Sequence, residues 1–506
     1  MKKESSMKTA TPPDAVQSLE PKNVWHIFSE MSGVPRPSKQ EQRICAHVKS
    51  VAEQHGLTVR EDSAGNLVIQ VPASPGCAGA PIVVLQSHLD MVCEKNGDVQ
   101  HDFDNDPIRL LVDTDATNNE QIVRADGTTL GADNGIGVAM ALAAATSPDA
   151  VHGPLELLCT TDEEAGMTGA KSLTPGSFHG RILLNLDSEE DDSIYIGCAG
   201  GCDSTLTWTP KAAGSPASGS EWCQIRVTGL RGGHSGGDIH ENRANAIRLL
   251  AAALRNAPAG TLRLVRITGG SKRNAIPREA QVVVAGPAGT LDALKVGATR
   301  YQEEAATAHG EPNASIAVER IEADSSAIAL SSSETDQVLA ALLDLPNGVL
   351  GMSEAVPGLV ETSNNVSIVQ STQQDGRVGI ELCTLSPSSS TARLRETLDR
   401  IAEVAGRCGA AVETGNDYPG WDPNPNSPVL ALCRRVYQKE FGCEPKVAAI
   451  HAGLECGLIG DRVGGMDMVS FGPTILGAHS PDERVFVASV QKSWRFLLSV
   501  LRAFTE

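Results

Sequence analysis

Apolar and polar positions alternate along this chain between a helical and a strand-like period. Ser38 and Glu41 stand three apart ahead of Ile44, Val48 and Val51, which predicts a capping box opening one helical face, and Gly56 supplies a C-terminal stop. Continuous apolar runs at 67–71, 81–86, 155–160 and 182–186 predict buried strands, with an Ala-rich helix at 135–145 between them. This alternation predicts an α/β layer around a mostly parallel central sheet, whose ligands collect beyond the carboxyl ends of the strands.

The character changes after the CAGGC stretch at 198–202. Strands at 221–227 and 280–284 and helices at 244–255 and 291–306 predict an inserted α+β unit. Residues 386–391 read as a loop, 392–405 as a helix, and DYPGWDPNPNSP at 417–428 as a linker. The α/β pattern then resumes with a helix at 429–441, strands at 446–450 and 466–471, and a closing helix at 489–503. The expected organisation is therefore a loose tail at 1–21 with order beginning near Val24, a discontinuous catalytic domain of 22–201 and 421–506, and a lid at 202–420.

Composition narrows the function. At 506 residues the chain needs more than one core, at about 100–200 residues per domain. No run approaches the roughly 18–20 consecutive apolar residues of a membrane span, and no apolar segment follows Lys2 and Lys3 as a secretory signal requires. A formal charge of −20 argues against nucleic acid and membrane surfaces as partners, since both are bound through clustered Lys and Arg. The 12 cysteines are scattered with no C-x-x-C pair, which points to reduced thiols in the cytoplasm and not to disulfides or a thiolate zinc site. Cys198, Cys202 and Cys456 read as small buried residues.

Chemistry concentrates in five short segments: His88-Leu89-Asp90, GTTLGADNGIG at 127–137, Asp162-Glu163-Glu164, Leu186-Asp187-Ser188-Glu189-Glu190, and Gly477-Ala478-His479-Ser480-Pro481. Each has an ordinary explanation alone: a strand-end turn, a helix N-cap at Asp133, or an acidic loop. Together they place imidazoles and carboxylates at one sheet edge, where a cation offsets the repulsion.

The order HLD, GADNG, TDEEAGMTGA, NLDSEE and GAHSPDE resembles the M20 metallopeptidases across nearly the whole chain. The segments GCAGG, GGHSGGDIH, RNAIPREA, IHAGLECG and AHSPDE resemble their aminoacyl-histidine dipeptidase (Xaa-His dipeptidase) branch. The resemblance implies two divalent ions, Zn²⁺ or alternatively Mn²⁺ or Co²⁺. His88, Asp133 and Asp187 would hold one, Glu164 and His479 the other, with Asp133 bridging. It implies that Glu163 is the general base, that Asp90 orients His88, and that His234 stabilises the oxyanion, while Asn274 and the Gly453 backbone touch substrate. The implied activity is hydrolysis of short peptides, preferentially Xaa-His dipeptides, by a cytoplasmic enzyme that forms a homodimer through its lid. His451 and Glu455 read as a polar pair supporting the wall of the site.

There is one departure. Related dipeptidases carry an Arg where this chain has Leu385 in GIELCTLSPSSS, so Arg273 or Arg377 is left to anchor a substrate carboxylate. Two alternatives stand beside the dipeptidase. One is another M20 hydrolase: a tripeptidase, a carboxypeptidase or an N-acyl amino acid amidohydrolase. The other is a catalytically silent metal-binding protein, against which the intact Glu163 argues.

Overall fold

The apolar runs that predict buried strands form the centre of one sheet. Val83–His88 and Leu155–Thr160 are buried at every position, as strands covered on both faces require. The computed structural model describes residues 13–96, 99–209, 214–324, 326–353, 358–374, 376–451 and 453–506. The chain divides into two units: Met1–Gly197 with Trp421–Ala449 and Leu454–Glu506, and Cys198–Gly420 with Ile450–Gly453.

In the first unit eight strands run in the order Thr58–Glu61, Leu67–Val71, Leu155–Thr160, Val83–His88, Ile182–Asn185, Asp467–Ser470, Ser193–Cys198, Lys446–Ile450. The middle four, from Leu155–Thr160 to Asp467–Ser470, are mutually parallel. Antiparallel partners flank them. Four neighbouring strands therefore end at one edge of the sheet, and the loops leaving those ends carry the candidate chemistry. Helix Ala132–Thr146, longer than the 135–145 expected, packs against Val83–His88, and its Ala and Gly residues let it approach closely.

Several expectations shift. Helix Gln42–Gln54 starts without a side-chain cap, because the Ser38 hydroxyl donates to Asp90 Oδ2 at 2.7 Å instead of to the helix. Gly56 does close that helix, at φ +73°. The expected tail is shorter than 1–21: Pro13–Gln17 is a helix packed on Lys22–Ser32, and Val16 is buried. Residues 1–12 lie outside the described residues. A four-stranded sheet of Ile475–Leu476, Arg484–Phe486, Gln121–Ala125 and Leu110–Thr114 was not foreseen. Its strands are short, and none carries an apolar run longer than the three residues at 110–112.

The second unit holds a sheet in the order Ser315–Arg320, Glu221–Thr228, Ala280–Gly286, Arg263–Gly269, Val360–Gln374, Arg377–Ser388, Gly200–Trp208, Ala411–Tyr418, with Gly348–Met352 added beside Val360–Gln374. Helices Ala246–Leu254, Thr290–Ala308, Ser332–Asp344 and Thr391–Arg407 contribute to its core. Residues 386–388, expected in a loop, are strand paired with Gly200–Cys202. Strand Ala411–Tyr418 likewise enters the expected linker and pairs with the same strand from Gly201 onward. Backbone pairing from Gly200 explains why the boundary falls at 197/198 and not at 201/202. All 12 cysteines are free thiols, and Cys198, Cys202 and Cys456 are buried.

Candidate metal centre

His88 is the last residue of its strand and Asp187 follows the neighbouring strand by two residues, so both emerge from the same sheet edge. Asp133 reaches the edge from the start of helix Ala132–Thr146, where Gly131 at φ +70° turns the chain and Asp133 itself is not helical. His88 Nε2 lies 3.1 Å from Asp133 Oδ1 and 3.3 Å from Asp187 Oδ1. His479 Nε2 lies 3.1 Å from Asp133 Oδ2 and 3.0 Å from Glu164 Oε2. Asp133 thus presents one oxygen to each imidazole.

Ligand atoms of His88, Asp133 and Asp187 lie within 4.8 Å of one another, as do those of Asp133, Glu164 and His479. Glu163 joins His88 and Glu164 in a third such group. Glu164 Oε1 is buried without a hydrogen-bond partner and Asp187 Oδ1 has only the His88 imidazole at 3.3 Å, which is costly unless a cation completes them. Imidazoles with carboxylates, and no thiolate, suit Zn²⁺ and also accept Mn²⁺ or Co²⁺.

The charges are strongly coupled. Burial pushes the Glu163 carboxyl well above its usual range against the pull of His88, and Glu164, Asp187 and Glu455 add to the rise. Burial, then the Asp133 charge, raises Glu164 to about 7; burial likewise raises Asp187 to about 6. Burial alone would lower both imidazoles, but the surrounding carboxylates outweigh it and take His88 well above its ordinary value and His479 to about 12. Asp133 goes the other way: burial opposes ionisation, and the two imidazoles overcome it.

Asp90 is fully buried and ties the parts together. Its Oδ1 lies 3.4 Å from His88 Nδ1 and accepts the Glu163 N–H at 3.0 Å, while Oδ2 accepts the Glu164 N–H at 3.1 Å. Two further positioning groups escaped the sequence reading. Glu483 accepts the backbone N–H groups of Leu130, Gly131, Ala132 and Asp133 at 2.7–3.3 Å. Arg36 donates through Nη1 to the carbonyls of Leu89 and Asp90, both at 3.0 Å, and through Nη2 to that of Gly131. Both are buried. Glu483 lies in the AHSPDE motif, so a signal existed; Arg36, between Pro35 and Pro37, gives none.

In the second unit, His234 pairs in register with Ala275, and Ser235 N–H donates to the Asn274 carbonyl at 2.8 Å, so the expected His234 and Asn274 are neighbours. His234 Nδ1 accepts the N–H groups of Gly236 and Gly237 at 3.2 and 2.9 Å. An Nδ1 that accepts leaves the ring proton on Nε2, which is thereby a donor. Gly453 groups with this unit and not with the first. So does His451, whose Nε2 lies 2.8 Å from Ser363 Oγ, while Glu455 belongs to the first unit; the two are not a pair within either. Leu385 stands opposite Asp203 in the sheet, and Asp203 is ion-paired with the half-exposed Arg273. Arg377 faces Gln374 across a hairpin turn at the far end of that strand.

Residues 84–503 match the model of peptidase family M20/M25/M40. The chain is 41% identical over 490 residues to the cytosol non-specific dipeptidase of Escherichia coli K12, covering 96% of this chain and 98% of that protein. The crystal structure of aminoacylhistidine dipeptidase from Vibrio alginolyticus is also 41% identical, with a TM-score of 0.78 over 96% of this chain and 98% of that one. The aminopeptidase PepT of Bacillus cereus, at 16% identity and a TM-score of 0.57 over 96% of this chain and 100% of that one, shares the fold.

Proposed function

This chain belongs to peptidase family M20/M25/M40, and on that premise we propose that it is a cytosolic, metal-dependent dipeptidase with a dinuclear centre. The observation that carries the reading is Asp133, whose two oxygens each face one imidazole, His88 or His479. His88, Asp133 and Asp187 would hold one cation, and Asp133, Glu164 and His479 the other.

Two divalent ions bound there would polarise the scissile carbonyl and lower the pKa of an attacking water. The remaining work falls to side chains. Glu163, fixed at its backbone by Asp90, takes the proton of the attacking water on its carboxylate and delivers it to the leaving amine. Asp90 holds the His88 ring through Nδ1. His234, with its proton on Nε2, is a donor suited to a developing oxyanion. Asn274 and the Gly453 backbone contact substrate, and Arg273, held in place by its ion pair with Asp203, is a better carboxylate anchor than Arg377 on its hairpin turn.

Preference for Xaa-His within the dipeptides, Zn²⁺ as the metal, and a homodimer through the second unit complete the reading. The last draws support from exposed Val349, Leu350 and Met352 on strand Gly348–Met352. The test is hydrolysis of β-Ala-His, Leu-His, Cys-Gly, Gly-Gly-Gly and an N-acetyl amino acid by zinc-loaded enzyme, beside Glu163→Gln. Cleavage of the dipeptides alone, lost in the variant, is expected. Cleavage confined to the tripeptide or the acyl compound would move the protein to another branch of the family, and silence throughout would sink the dipeptidase.

A further inference from the structure

A further buried carboxylate lies beneath the metal centre and takes no part in the chemistry above. Glu455 is fully buried at the start of helix Glu455–Val463. Its Oε2 accepts Gln86 Nε2 at 2.7 Å and the Thr160 hydroxyl at 2.5 Å. Gln86 Oε1 in turn accepts Asn185 Nδ2 at 2.5 Å, and Asn185 Oδ1 accepts the Ser470 hydroxyl and the Asp187 N–H, the latter at 3.3 Å. Ser470 Oγ lies 2.5 Å from Ser188 Oγ. Every member of this row is buried.

Thr160, Gln86, Asn185 and Ser470 sit on the four parallel strands in their spatial order, so the row crosses the sheet just below the edge that carries the site. Gln86 is two residues before His88 and Asn185 two before Asp187. The row also has a direction. Ser470 donates to Asn185, Asn185 to Gln86, and Gln86 to Glu455. An amide can be turned over to exchange its donor and acceptor ends, so a Gln–Asn pair alone does not fix its own sense. A carboxylate oxygen that takes two donors does. Burial pushes the Glu455 carboxyl up to about 8, and both hydrogen bonds it accepts fall on Oε2, while Oε1 has no partner.

We propose that Glu455 is a positioning residue of the metal centre: by ending this row as its acceptor it sets the Gln86 and Asn185 amides, and through them the strand ends that present His88 and Asp187. The inference rests on the metal centre proposed above. Among the described residues, Glu455 is in none of the groups whose ligand atoms could hold an ion.

Zinc titration of the full chain stripped of metal tests it. Glu455→Met keeps the volume and removes the acceptor, and is expected to weaken zinc binding about 10–100-fold, the usual cost of losing a partner behind a ligand. Glu455→Gln keeps an oxygen where Oε2 lies and is expected to restore zinc binding, with kcat recovered at unchanged KM in the loaded enzyme. Wild-type affinity in Glu455→Met overturns the proposal, and so does a Glu455→Gln variant as impaired as the Met one, because the buried charge and not the row would then matter. If Glu455→Met does not fold, Ser470→Ala removes one donor from the other end by a single atom; weaker zinc binding is expected, and unchanged binding overturns the proposal. A wild-type chain that binds two zinc ions and cleaves no peptide would sink the dipeptidase reading while this titration still decides the role of Glu455.

Discussion

Oδ1 of the buried Asp90 accepts the backbone N–H of Glu163 at 3.0 Å. The same carboxylate stands 3.4 Å from His88 Nδ1 and takes the Glu164 N–H and the Ser38 hydroxyl. One side chain therefore fixes a ligand ring and the loop of the general base together. Asp90→Ala removes the three hydrogen bonds that the carboxylate accepts and its charge beside His88, leaving only the Asp90 carbonyl at 3.2 Å from Nδ1, and a loss of about 10–100-fold in metal affinity or turnover is expected. Zinc titration and kcat/KM on Leu-His measure it; wild-type values in both would show that Asp90 orients nothing.

Metal binding should release protons near neutral pH. Glu164 and Asp187 are raised to about 7 and 6 and His479 to about 12, so around pH 6 part of the carboxyl set and the imidazole all hold protons that a cation must displace. Apparent zinc affinity should rise from pH 5.5 to 8, with proton release seen as a dependence of the binding heat on buffer ionisation. The metal-free chain should behave oppositely. Each of these groups has a folded pKa above its unfolded value, so the stability it contributes is full below the unfolded pKa and is lost as pH rises through the folded one. Thermal melting of metal-free protein should therefore give a lower Tm at pH 9 than at pH 6; an equal or higher Tm contradicts the assigned shifts.

How much of this was legible in the residues follows from where each signal lives. His88, Asp133, Glu163, Glu164, Asp187 and His479 stand beside glycines or at the ends of apolar runs, a pattern visible in one dimension, and the structure gathers them at one sheet edge. Strands such as Leu67–Val71 and Leu155–Thr160 were legible because continuous burial writes a continuous apolar run. Residues 386–388 were not, since a Ser and Pro stretch reads as a turn, and only its partners in Gly200–Trp208 make it strand. Ser38 looked like a cap because its distant acceptor, Asp90, is invisible locally. Glu455 and Arg36 act through contacts across hundreds or tens of residues, for which a single sequence carries no spacing signal.

Glu483 provides a stability prediction. Its carboxylate takes four successive N–H groups leading into helix Ala132–Thr146, and Arg36, whose charge faces it, is itself fully buried. Burial raises the Glu483 pKa, and the N–H groups oppose that rise. Glu483→Ala leaves those donors without their acceptor and removes the largest of the charges that face Arg36, with Asp90 and Asp133 remaining, which should cost about 3–5 kcal/mol, the scale for removing one buried charge from its partners. Urea unfolding of the metal-free chain measures it, and a change below about 1 kcal/mol would mean that water replaces the carboxylate.

Gly137→Ala sets two effects of opposite sign against each other. In an ordinary helix interior the change stabilises by about 0.8–1.0 kcal/mol. Here the added methyl would meet Asn134 Oδ1 and, at 2.6 Å, the Leu186 carbonyl. Leu186 is backbone beside Asp187, and Asn134 is already held by its own hydrogen bond to that carbonyl at 2.7 Å, so neither neighbour yields freely. Overpacking of this kind costs about 1–3 kcal/mol and should win. The variant is expected to be less stable than wild type and, because the strain pushes on the Asp187 segment, to bind zinc more weakly at the site of His88. A Tm above wild type with unchanged zinc binding would mean that the helix can withdraw from the sheet, and that its small residues reflect propensity and not close approach.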